Sequence, residues 1–72
     1  MSEYISKGAV KVIEVIGVSE ESWEDAAEQA VKKASESVKG ITGIEVIAHT
    51  ARVNDGKIVQ YNATIKLAFV VA

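Results

Sequence analysis

Apolar and polar residues alternate along this chain in three successive rhythms. From Ala9 to Ile16 (AVKVIEVI) the residues are β-branched and nearly continuous, broken only by Lys11 and Glu14. That pattern predicts a strand buried on much of both faces, ended by Gly17. Between Trp23 and Val38 the rhythm changes. Trp23, Ala26, Ala27, Ala30, Val31, Ala34 and Val38 recur at helical spacing along one stripe. Most of that stripe is alanine, so the helix can lie close against a sheet. Ser22 and Asp25 have capping-box spacing, in which the hydroxyl accepts from the Asp25 N–H and the carboxylate reaches back. Glu20, Glu21, Glu24 and Asp25 suit the positive end of the helix dipole, Lys32, Lys33 and Lys39 the negative end. Gly40 is placed to cap the C-terminus.

The last third has the period of two expected of strands. Ile44 to Val53 and Lys57 to Val71 flank Asn54-Asp55-Gly56, and Asp-Gly predicts a two-residue hairpin turn. In the third strand Val59, Tyr61, Ala63, Ile65, Leu67, Phe69 and Val71 share the face that covers the helix, joined by Ile44, Val46 and Ala48. Gln60, Asn62, Thr64 and Lys66 take the other. A two-residue loop then sets Glu45 opposite Lys66, Ile47 opposite Thr64, His49 opposite Asn62 and Ala51 opposite Gln60. This predicts an α+β chain of order β-α-β-β, a three-stranded antiparallel sheet wrapped around one helix.

Length narrows the picture. Seventy-two residues leave room for one domain, residues 1–72, with no proline and no repeat to suggest a linker. So short a chain is marginally stable alone. It has no cysteine and one histidine, which excludes disulfides and a multi-histidine zinc site within one chain. Association with copies of itself is the remaining route to a sufficient core. Hydrophobic residues at 49 % and charged residues at 25 % describe a globular chain. A net charge of −2 without a basic patch argues against nucleic acid as a partner. No apolar run reaches the length of a membrane span, and the polar start Met1 to Tyr4 is unlike a leader. A cytoplasmic protein is expected.

No catalytic constellation is visible, so a non-enzymatic role is expected. Several residues each keep two readings. His49 suits an interface hydrogen bond, or an acid, base or ligand role. Glu45 and Lys66 suit a cross-strand ion pair or contact with a ligand. Trp23 suits core packing or stacking on an aromatic ligand, and Tyr61 belongs to the helix-facing core with its hydroxyl toward an edge. The acidic run at the helix start is a solvated cap or a Ca²⁺ site.

Four pieces of the chain carry a resemblance to the dodecins: Val12 to Ser35 (VIEVIGVSEESWEDAAEQAVKKAS), Gly43 to Val46, Asp55-Gly56-Lys57, and Tyr61 to Phe69 (YNATIKLAF). The resemblance implies a hollow homododecamer with a flavin or related ligand between subunits. In flavin-binding members a Trp from each of two subunits sandwiches paired flavin rings, and a Gln on the third strand bonds the ring edge. Here Gly43 stands at the Trp position and Asn62 at the Gln position. Gly43, Glu45, His49, Gln60 and Asn62 are therefore the candidate ligand-binding residues. The organic candidate is a flavin (riboflavin, FMN or FAD), another flat heterocycle or a nucleotide-like cofactor. The alternative is a structural or cation-binding shell, Ca²⁺ or Mg²⁺ being held by Glu14, Glu45 or the acidic helix start multiplied by symmetry.

Overall fold

The structure, a computed structural model, describes residues 7–71; the polar start Met1 to Tyr4 lies outside them. The elements are β1 (Val10–Ser19), α1 (Trp23–Ala34), β2 (Ile41–Asn54) and β3 (Lys57–Val70). The sheet is antiparallel in the order β1-β3-β2, so the last strand is central. The β-α-β-β fold predicted by the periodicity is the fold observed.

Alanine governs how the layers meet. The core is Ala26 and Ala30 of α1 against Ala63, Ile65 and Leu67 of β3, with Ile13, Val15, Val31 and Ile41 packed around it. The helix lies over β1 and β3 and meets β2 at its first residue, Trp23. Gly17 does not end β1, which runs on to Ser19. Its role is closeness: a Cβ there would overlap the Ala26 carbonyl and press on the Ala30 methyl.

The Ser22 hydroxyl accepts from the Asp25 N–H at 2.9 Å, as the capping box requires. The reciprocal arm is different. The Asp25 carboxylate accepts from the buried Ser19 hydroxyl at 2.7 Å, and Ser19 in turn accepts from the Glu21 N–H at 2.9 Å. The end of β1 is thereby tied to the start of α1. At the far end the cap is Ser35, not Gly40. Gly40 instead takes a φ of +75° just before β2.

The hairpin turn has Asp55 at φ 56° and Gly56 at φ 75°, both in the left-handed region that a type I′ turn demands. Asn54 faces Lys57, and Glu45 faces Lys66, as expected. Between these two points the register departs from expectation. Ile47 is an extra residue on β2, and Val59 compensates on β3. Within that stretch Ala48 faces Thr64, His49 faces Ala63, Thr50 faces Asn62, Ala51 faces Tyr61 and Arg52 faces Gln60. A one-residue bulge exchanges the two faces of a strand. His49 and Ala51 therefore lie on the helix side, and Ala48 on the outer side.

Candidate functional site

The outer face of the sheet combines an apolar flank with a polar spine. Val10, Val12, Glu14, Ile16 and Val18 of β1 stand beside Val70, Ala68, Lys66, Thr64 and Asn62 of β3. Four of the β1 residues are apolar and 48 % to 62 % exposed in the single chain, so burial of β1 on both faces is not completed within one chain. Lys66 occupies the middle of a charged row, with Glu14 opposite on β1 and Glu45 opposite on β2. Neither carboxylate closes an ion pair with it; among the described residues Lys33 and Glu36 alone do, at 3.8 Å.

Gly43 and Glu45 come together as expected. With Val12, Ile44, Lys66 and Ala68 they line a depression of about 480 Å³. A Cβ built on Gly43 would meet nothing within 4 Å, so the position is open to a larger side chain or to a ligand. It offers no aromatic surface of its own.

Asn62 shares the outer face but not the depression. Ala68, the partner of Gly43, stands six positions beyond Asn62 on β3, roughly 20 Å at the rise of a strand. Asn62 lies between Val18 and Thr50, and its side-chain oxygen accepts from the Gln60 amide at 2.9 Å. Gln60 belongs to a separate depression with Glu20 and Arg52. Gly43 and Asn62 therefore do not share one depression within a chain.

The bulge at Ile47 takes His49 out of this group altogether. Its ring stacks on Trp23, with centroids 5.5 Å apart and planes 17° from parallel. Tyr61 meets the same indole edge-on at 4.7 Å. The Trp23 Nε1–H donates to the Thr50 carbonyl at 2.8 Å. Trp23 thus pins β2 to the start of the helix, a role between core packing and exposed stacking. Its helical phase placed it toward the sheet; the meeting with His49 depends on a bulge that strand alternation does not disclose.

A flavin would find room at Gly43 but no ring to stack on. For a cation, no group of three or more His, Cys, Asp or Glu side chains that could hold a metal ion exists among the described residues. Nor, among them, is any helix long and apolar enough to cross a membrane.

Comparison with known proteins gives a consistent answer. The family model described as Dodecin matches residues 9–72. The calcium dodecin of Mycobacterium tuberculosis (strain ATCC 25618 / H37Rv) is 37 % identical over 59 residues, covering 82 % of this chain and 83 % of that protein. The crystal structure of the calcium-chelating immunodominant antigen calcium dodecin, from the same species and with a novel calcium-binding site, aligns with a TM-score of 0.79 at 38 % identity over 90 % of this chain and 93 % of that one. Dodecin from Streptomyces coelicolor aligns with a TM-score of 0.90 at 26 % identity, covering 94 % and 97 %. Fold, register-bearing motifs and these matches agree: the chain belongs to the dodecin family.

Proposed function

We propose that the chain assembles with copies of itself into a closed shell, twelve chains in the arrangement the family resemblance implies, that binds and stores small ligands between subunits. The outer sheet face carries this reading. Val10, Val12, Ile16 and Val18 are about half exposed in one chain, and covering the exposed part of each is worth roughly 1 kcal/mol or more. A second copy is the partner that a symmetric, closing interface requires. The role is binding rather than turnover, and no residue is assigned a catalytic part.

The ligand favoured first is a divalent cation, calcium above all. Support comes from the relative of 37 % identity, which is a calcium dodecin. One chain brings no three metal ligands together among its described residues, so the ion would sit where carboxylates from several copies meet. Glu14 and Glu45, which flank Lys66 without closing an ion pair to it, and the acidic helix start are the carboxylates that copies could bring together.

A flat organic ligand such as a flavin is the second reading, supported by the open depression at Gly43. Glu45 would border such a ligand, with Asn62 contributed by another chain. His49, turned to the helix side, would act on it only indirectly.

Native mass spectrometry with thermal melts in calcium, chelator and riboflavin tests these readings together. Twelve chains with a calcium-dependent rise in Tm, reversed by chelator, supports the cation reading. Twelve chains with a riboflavin mass increment and quenched flavin fluorescence supports the second. A folded monomer at micromolar concentration overturns the shell.

A further inference from the structure

β1 ends at Ser19, opposite Tyr61, while the β2–β3 hairpin continues alone to its turn. At that step lies a second depression, about 360 Å³, lined by Glu20, Arg52, Val53, Asn54, Val59 and Gln60. It shares no lining residue with the depression at Gly43. Two strands and the exit of the third contribute: Glu20 directly follows β1, Arg52 and Asn54 lie on β2, and Val59 and Gln60 lie on β3. Val59 is the extra residue of the β3 bulge, and bulges re-aim the side chains beside them.

The charges here are opposite and uncommitted. Arg52 is the only arginine in the chain, and its guanidinium is a planar fork that matches a carboxylate. Glu20 lines the same depression, yet the two close no ion pair; among the described residues only Lys33 and Glu36 do. Gln60 is held in place because its Nε2 donates to Asn62 Oδ1. That bond leaves the Gln60 carbonyl oxygen free to accept. A phosphate dianion is disfavoured by Glu20, and a simple cation by Arg52. A molecule carrying both charges satisfies both walls at once.

We propose that this depression binds a small zwitterion of the amino-acid type, its carboxylate on Arg52 and its ammonium on Glu20 and the Gln60 carbonyl oxygen. Val59 supplies an apolar wall suited to a short side chain. The site goes beyond the calcium and flavin readings and depends on neither of them.

Saturation-transfer NMR on the assembled protein decides it, with L-alanine, N-acetyl-L-alanine and L-alaninamide as probes. The blocked compounds each lack one charge. Saturation of L-alanine is expected, with binding about tenfold or more weaker for either blocked compound. Glu20→Gln and Arg52→Gln, both exposed positions, are expected to weaken L-alanine by a similar factor while native mass spectrometry shows the parent assembly. No saturation by L-alanine at tens of millimolar overturns the proposal, as do equal signals from the three probes. Undiminished L-alanine binding by both variants overturns it as well. A variant that fails to assemble leaves the decision to the three probes on the parent protein. None of these outcomes bears on the shell itself.

Discussion

Two glycines show how much a single missing Cβ can decide. At Gly17 the absence lets α1 approach β1, since a methyl would meet the Ala26 carbonyl and Ala30. Gly17→Ala is expected to destabilise the protein by about 1–3 kcal/mol, the usual cost of overpacking, measured by chemical denaturation. At Gly43 the absence does the reverse and leaves open space. Gly43→Trp is expected to keep fold and assembly. It should also tighten riboflavin binding by up to about tenfold, because ring stacking contributes roughly 0.5–1.5 kcal/mol beyond burial. Fluorescence quenching titrations of parent and variant measure that gain; unchanged affinity would mean that stacking is not what the depression lacks.

Among the elements, β2 is where sequence reasoning reached furthest and then failed. The helix stripe, its Ser22 cap and the Asp55-Gly56 turn were all legible, because each is a local pattern with a local cause. Glu45 opposite Lys66 followed from the turn. Ile47 carries no such mark. It is apolar in a strand of alternating residues, and only packing against β3 shows that it is inserted. The group Gly43, Glu45, His49, Gln60 and Asn62 therefore divides, with His49 on the Trp23 ring and Gln60 at the hairpin root. His49→Ala is expected to remove one face of the indole stack at a cost of about 0.5–1.5 kcal/mol, seen as a lowered Tm and a weakened near-ultraviolet circular dichroism signal. Deleting Ile47, which leaves Ala48 opposite Thr64 and His49 opposite Ala63, should preserve that signal.

At the scale of the whole molecule, the sheet has one satisfied face and one wet one. The helix closes the first over Ile65 and Leu67, while Val12 and Ile16 remain 51 % and 62 % exposed. Val12→Lys with Ile16→Lys is expected to abolish the assembly, and with it most of the secondary structure, in sedimentation and far-ultraviolet circular dichroism. A folded monomeric double variant would show that one chain is stable by itself. The indole of Trp23 adds a different kind of access. It is the only tryptophan and sits where the helix start meets β2 through the Thr50 carbonyl. Its emission is thus a built-in optical gauge of one event, the lifting of β2 from the helix. Stopped-flow traces of that signal can be timed against scattering, which would follow the size of the proposed shell, to tell whether its subunits part before or after they open.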